Sequence, residues 1–309
     1  MRWSISIPQF DLTGADAPAL RSYLTRAEQL GFEAGWTLEQ AVGAAPLLAP
    51  LEVLAYAAAC TDRLRLGVAV LVSTLHDPLQ LAAAATTIDR LSGGRLELGV
   101  GAGGPSRRFA AFGVDRQTFL ARFTEGLELM KAAWSDTPQV TFSGRFRHLE
   151  DVAIAPKPIQ RPHPPLWFGG HAPAALARAV HHGDGFMGAG SATTAAFAEQ
   201  VGVLRRELAD QDRDPAGFRI GKRVYLSVDA DAGRARDRVL AGIDRIYGGR
   251  LRDAAAVAVA GTPADVAGGL AAVLDAGAET IVLNPVGATV ADDHEQMELL
   301  AAEVLPQLL

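Results

Sequence analysis

Short runs of β-branched and aliphatic residues alternate along the chain with longer stretches whose apolar positions recur at helical spacing. Trp3 to Ile7 predicts a strand, and Ala17 to Leu30 predicts a helix closed by Gly31. Ala34 to Leu38 then reads as a strand, Leu51 to Cys60 as a helix, and Leu64 to Val72 (LRLGVAVLV) as the clearest strand of all. A helix from Pro78 to Leu91 has proline in its first turn. The Ser92-Gly93-Gly94 turn leads from it into a strand at Leu96 to Val100. Phe119 to Trp134 is strongly amphipathic, with Phe123, Met130 and Trp134 on one buried stripe.

Residues 136–163 break this rhythm. They hold Pro138, Pro156, Pro158 and Pro162, and a Ser143-Gly144 turn between Val140–Phe142 and Phe146–His148. An inserted hairpin and an extended crossing segment are expected here, within one domain running from 1 to 309. The alternation resumes with strands at Leu166–Phe168, Gly185–Met187, Phe218–Val228 and Thr280–Leu283. The helices expected between and after them are Ala174–His182, Thr194–Ala209, Arg234–Tyr247, Pro263–Ala276 and Asp292–Val304.

Strands separated by helices imply a parallel sheet, because each parallel return needs a crossover. Eight of them suit a closed (β/α)8 barrel, that is, a TIM barrel with an insertion after the fourth β/α unit. An open doubly wound sheet is the alternative. It is weakened by Ile7-Pro8-Gln9-Phe10-Asp11, which has no Gly-x-Gly-x-x-Gly fingerprint after the first strand.

A barrel places its chemistry just after the strands. Glu39, after the second strand, is a proton-handling carboxylate or a solvated loop charge. Ser73, Thr74 and His76 follow the third strand. There Asp77 can cap the next helix, and His76 is either a titrating group or merely exposed. Gly99, Gly101 and Gly103 at the end of the fourth strand would let a flat ligand approach the backbone, although a turn needing positive φ explains them equally well. Arg107 and Arg108 follow, and could hold an anion or face solvent. Gly169-Gly170-His171-Ala172-Pro173 runs straight into a helix whose first amides form an anion site. His181-His182, at the other end of that helix, reads as structural.

Composition adds exclusions. Apolar residues make up 49% and charged ones 21%, as in globular proteins, and the formal net charge is −6, which argues against nucleic acid and anionic membranes. The longest stretch without Asp, Glu, Lys or Arg, Pro162 to Ala177, is broken by four prolines and two glycines, too short and too interrupted to span a bilayer. Met1 to Pro8 has no secretory pattern, and Cys60 is the only cysteine, so a cytoplasmic protein without a disulfide is expected. No His-x-x-x-His, His-Glu-x-x-His or carboxylate cluster suggests a metal, and Gly-x-Ser-x-Gly is absent.

Several longer motifs resemble the luciferase-like flavin-dependent oxidoreductases. They are Asp62-Arg63-Leu64-Arg65-Leu66-Gly67, Asp89-Arg90-Leu91-Ser92-Gly93-Gly94-Arg95-Leu96-Glu97-Leu98-Gly99-Val100-Gly101, and Ala155-Pro156-Lys157-Pro158 followed by His163-Pro164-Pro165-Leu166-Trp167-Phe168-Gly169-Gly170. Gly183-Asp184-Gly185-Phe186 and Gly261-Thr262-Pro263 match as well. The resemblance implies a barrel with an insertion, a homodimer, a small-molecule substrate and a flavin-type cofactor across the carboxyl-terminal rim. That cofactor is coenzyme F420, with FMN as the alternative. By similarity Glu39, Val72, Ser73, Gly101 and Ala102 would line the ring system, and Gly169, Gly170, His171 and Ala172 would take the phosphate. Glu39 and His76 would be catalytic. A non-proline cis peptide is expected near Val72-Ser73.

The implied reaction is hydride transfer between F420 and an organic substrate. An oxygen-using FMN monooxygenase and a non-catalytic flavin-binding protein are the alternatives. Two positions depart from the family pattern. Gln40 stands where many F420-dependent dehydrogenases have histidine, and Gly104 where the sugar-phosphate dehydrogenases have glutamate.

Overall fold

The computed structural model describes residues 2–9, 16–40, 47–104 and 107–308. In chain order its strands are β1 (Arg2–Ser6), β2 (Ala34–Thr37), β3 (Arg65–Val72), β4 (Leu96–Gly101), β5 (Gln139–Ser143) and β6 (His148–Ala153). They continue with β7 (Leu166–Phe168), β8 (Gly185–Gly188), β9 (Arg219–Val228), β10 (Ala258–Gly261) and β11 (Thr280–Pro285). The helices are α1 (Ala17–Gln29), α2 (Pro50–Cys60), α3 (Pro78–Leu91), α4 (Phe119–Trp134) and α5 (Pro173–His182). After them come α6 (Thr194–Asp210), α7 (Ala232–Tyr247), α8 (Ala254–Val257), α9 (Pro263–Asp275) and α10 (Val290–Leu299).

Eight strands pair in parallel in the order β1-β2-β3-β4-β7-β8-β9-β11, and β11 pairs with β1 to complete the ring. The barrel is therefore closed and the open-sheet alternative falls. The helices pack their apolar faces on its outside, where Leu54, Leu81, Leu127, Trp134, Phe197 and Leu270 are buried.

Side chains alternate along a strand, so every second residue fills the barrel. At the amino-terminal end Glu97 is nearly inaccessible and accepts from Arg65 Nε (2.5 Å), Arg219 Nη2 (2.9 Å) and Trp167 Nε1 (2.5 Å). Two guanidiniums around one carboxylate compensate its burial. Above this charged floor lies an apolar layer of Ala34, Trp36, Trp167, Met187 and Val282, with the two indoles edge-to-face at 5.4 Å.

Much of the longest motif builds this closed end. Asp89 accepts from Ile159 N, Gln160 N and Gln160 Nε2, which pins the crossing segment beneath the barrel. Arg95 donates to the carbonyls of Ala58, Thr61, Leu64 and Ser92 and to Thr61 Oγ1, fastening α2 to the sheet.

Four details differ from the expectations. The hairpin forms, but its second strand starts at His148, because Glu125 of α4 draws the amides of Arg145, Phe146 and Arg147 toward itself at 2.7–2.9 Å. An additional strand, β10, pairs with Tyr225–Val228 of β9, beyond the Arg219–Lys222 stretch that pairs with β8. The non-proline cis peptide lies at Ala69-Val70, not Val72-Ser73, where the pairing of β3 with β4 shifts register between Val68 and Leu71. The last helix begins at Val290 and gives way to a π-type stretch at Leu300–Val304. No helix among the described residues is long and apolar enough to cross a membrane.

Candidate active site

The carboxyl ends of the strands surround a cleft of about 580 Å3, the size of an ordinary small-molecule or cofactor site. β2 leads into Glu39 and Gln40 in its wall, β3 contributes Ala69 and Val70, and Gly169 and Gly170 follow β7. The far wall is Met187 to Gly190 after β8, Arg223 and Tyr225 of β9, and Tyr247 and Arg250 around the end of α7.

Glu39 is a buried, doubly hydrogen-bonded carboxylate of the near wall. Its side chain is 5% exposed, and it accepts from Val72 N (2.6 Å) while Oε1 meets His76 Nε2 at 2.7 Å. The hydrogen bond to Glu39 raises the His76 imidazole above its ordinary pKa against the opposing effect of burial. His76 is 31% exposed and opens onto a neighbouring cavity of about 300 Å3. The carboxylate thus stands between the cleft and an imidazole that reaches a second, wetter space. Asp77 accepts from Leu79 N and Gln80 N as the cap of α3, so the capping reading and the Glu39 contact both hold.

Ser73 Oγ donates to Gly101 O (3.5 Å) and Thr74 Oγ1 to Ala102 O (3.0 Å), which joins the ends of β3 and β4 beside Glu39. The glycines of this rim answer to a side chain. A Cβ on Gly99, Gly101 or Gly169 would meet Val70 at 3.0–3.1 Å. Gly101 and Gly169 therefore make room for Val70, whose side chain helps line the cleft, while Gly99 is required first by the Val68 carbonyl oxygen, which a Cβ would meet at 2.0 Å.

Gly169 to Ala172 form a second group, at the start of α5. Gly170 has φ +143°, a conformation suited to glycine. α5 has no side-chain cap, unlike α1, α3, α6, α7, α9 and α10, whose first amides are held by Asp or Thr. α2 and α4 also lack one; at α5 Pro173 has no N–H and Ala175 N donates to Ala172 O, which leaves the positive end of the helix dipole without a side-chain partner. The described residues give no side-chain placement for Arg107 and Arg108. His181 and His182 stack edge-to-face at 4.5 Å, and burial pushes His182 down to about 4, in keeping with a structural role. Among the described residues no group of three or more His, Cys, Asp or Glu could hold a metal ion.

Sequence reasoning missed the far wall. Arg223 is 5% exposed, and its Nη2 donates to Thr37 O at 3.0 Å. Tyr225 and Tyr247 share a hydroxyl contact of 2.9 Å, and burial drives the Tyr225 phenol well above its ordinary value. Two adjacent cations, Lys222 and Arg223, inside an otherwise apolar strand were the available signal. Lys222 points outward, donates to Ala189 O and Arg223 O, and is pushed down to about 7 by burial.

Fold and site together define a closed barrel enzyme class with its chemistry at one rim. A profile of the luciferase-like monooxygenase family matches residues 1–300, and the chain belongs to that family. An uncharacterised protein, y4vJ of Sinorhizobium fredii, is 34% identical over 173 residues, 55% of this chain and 49% of that protein, so the chain spans about half of that relative's length. An F420-dependent glucose-6-phosphate dehydrogenase of Beutenbergia cavernae is 32% identical over 227 residues, 70% of this chain and 66% of that one. Among solved structures, the monooxygenase RslO1 of Streptomyces bottropensis superposes with a TM-score of 0.87 at 25% identity over 100% of both chains. An F420-dependent secondary alcohol dehydrogenase, solved with an F420-acetone adduct, superposes with 0.84 at 17% identity, covering 100% of this chain and 99% of that one. Apart from the uncharacterised y4vJ, the relatives named are oxidoreductases, and the last comparison bears on the fold alone.

Proposed function

We propose that this protein transfers a hydride between coenzyme F420 and a small organic substrate in the rim cleft. The observation that carries the reading is the Glu39 carboxylate, held by Val72 N and His76 Nε2 in the wall of a cleft of cofactor size. The F420-dependent relative matching 70% of the chain favours F420 over FMN. The residues fit such a group: glycines and apolar side chains share the wall with Glu39, Gln40, Arg223 and Arg250, and the start of α5, with no side-chain cap, offers the positive end of its dipole to a phosphate.

In this reading Glu39, Val72, Ser73, Gly101 and Ala102 hold the ring system. Gly169, Gly170, His171 and Ala172 hold the phosphate. When bound, the cofactor supplies the hydride donor or acceptor. The chain supplies position and protons. Glu39 faces the reacting centre, and His76 holds a proton at Nε2 that the carboxylate relays toward substrate as the hydride moves. Water can reach His76 from its own cavity and restore that proton without entering the cleft. Gln40 beside Glu39 offers hydrogen bonds to a ligand but no proton of useful acidity.

The test is reconstitution of purified protein with each cofactor. F420 should bind, recognised by one dominant violet band, and its reduced form should be oxidised by a carbonyl, imine or activated-alkene panel. Binding of FMN alone, with its paired near-ultraviolet and blue bands, would overturn the F420 reading. Bound F420 that is neither reduced nor oxidised by any member of the panel would overturn the catalytic one.

A further inference from the structure

Among the described residues Arg223 is a buried cation without a carboxylate partner. Pairing with β11 in register with Val282 places it on β9, where Arg219, Gly221, Arg223 and Tyr225 share the inner face. The other buried guanidiniums are compensated. Arg219 shares Glu97 with Arg65, and Arg95 is ringed by four carbonyls and a hydroxyl. Arg223 has one carbonyl, that of Thr37, and no ion pair among the described residues.

Its surroundings do not neutralise it. The cleft's carboxylate, Glu39, is already committed to Val72 N and His76. Lys222, the adjacent residue, adds a like charge, and burial lowers the pKa of both cations. Leaving a buried charge without a partner is costly. Yet the guanidinium lines the cleft, with the Tyr225 and Tyr247 hydroxyls and Arg250 on the same wall. From β9 the guanidinium reaches across to the end of β2, where it donates to Thr37 O two residues before Glu39, so a positive charge and the Glu39–His76 pair meet at one cleft.

We propose that Arg223 is the anchor for a carboxylate on the substrate, so that this enzyme acts on organic acids. The inference rests on the rim cleft being the substrate site proposed above. A planar guanidinium with free donors takes a carboxylate in a bidentate fork and fixes its orientation. An acid held at Arg223 presents its remaining carbon skeleton toward the Glu39 side, where a proton can be delivered. A reduced cofactor bound in the cleft would supply the hydride and be oxidised by two electrons, the Glu39–His76 pair would supply the proton, and the substrate carboxylate would be unchanged.

The experiment is a calorimetric titration with benzoate and 3-phenylpropionate and with the matched neutral amides, on protein without cofactor and on F420-loaded protein. Wild type should bind the acids saturably and the amides at least about tenfold more weakly, the discrimination expected when a charged donor loses its partner. Arg223→Met should lose the acids by a similar factor while its F420 affinity, read by the cofactor's fluorescence, stays unchanged. Arg223→Lys should retain part of the acid affinity. Without ligand, Arg223→Met should melt at or above the wild-type temperature, because an uncompensated charge has been removed.

The anchor assignment fails if wild type binds no acid, if acids and amides bind alike, or if Arg223→Met binds acids as wild type does. A loss of F420 affinity in Arg223→Met instead of acid affinity would assign the guanidinium to the cofactor and overturn the proposal. Melting well below wild type would make it a structural clamp for Thr37 and overturn the proposal equally. Because acid binding is also measured without cofactor, preference for FMN over F420 would sink the cofactor reading and leave this one standing.

Discussion

Replacing Glu39 with Gln tests the proton-handling pair with little change of shape. Two donors converge on the carboxylate, Val72 N at 2.6 Å and His76 Nε2 at 2.7 Å. A carboxamide has one acceptor oxygen, so it can keep one of the two and must point its amino group at the other. With the oxygen on Val72 N, the amino group meets Nε2 and favours the neutral imidazole. The variant therefore loses one charge-assisted hydrogen bond, about 1.5–3 kcal/mol, and the His76 pKa falls from its raised position. Turnover should drop by roughly 10²–10⁴, the usual worth of a positioned acid or base, with the fold intact.

The sign of the pH effect follows. A histidine whose folded pKa is raised stabilises the fold below its unfolded value, and that stabilisation is lost as pH rises through the folded value. The stability gap between wild type and Glu39→Gln should thus be widest in mild acid and close at alkaline pH. The assays are single-turnover hydride transfer in reconstituted enzyme, chemical denaturation at several pH values, and the His76 ring-proton titration by NMR. Turnover within about threefold of wild type, far short of the effect expected of an acid or base, would remove Glu39 from the reaction. An unmoved His76 titration would break the pair.

Other outcomes are expected away from the rim. Glu97→Ala strands Arg65 and Arg219 at the barrel floor and should cost about 3–5 kcal/mol in denaturant unfolding; a loss under about 1 kcal/mol would mean the two cations find other partners. Gly67→Ala places a methyl group against the Trp36 indole and should destabilise by about 1–3 kcal/mol, with a visible change in near-ultraviolet dichroism. Burial raises Asp293 to about 7 although Gly287 N donates to it. The folded state therefore binds the extra proton between the ordinary value of 3.8 and about 7, and stability from this group falls as pH climbs through that window. Asp293→Asn should flatten the fall, and an equally steep profile would contradict the assignment.

The barrel strands were readable because most of their apolar runs carry β-branched residues and several end at glycine or proline, as at Trp3 to Ile7 before Pro8. β10 was not, since Ala258-Val259-Ala260-Gly261 carries one β-branched residue and leans on its pairing with β9. The second hairpin strand slipped because a carboxylate on a distant helix claims the amides of Arg145 to Arg147, a tertiary effect that no local pattern contains. At the site, rim position after a strand pointed to Glu39, His76 and the glycines, but the reason for the glycines differs. Gly101 and Gly169 clear space for Val70 and Gly99 for the Val68 carbonyl, and the backbone geometry of β3 that sets both is invisible in the residue string. Arg223 escaped because the cations of Phe218 to Val228 carry no sign of which face each occupies until the strand's pairing is known.

The bolted bottom of the barrel, where Glu97 grips two arginines beneath a lid of tryptophans, makes the molecule a one-door room. Whatever enters for reaction and whatever departs afterwards must use the same threshold. The deeper occupant has to arrive first and leave last, so turnover runs as a queue, and crowding at the doorway by one visitor detains the other.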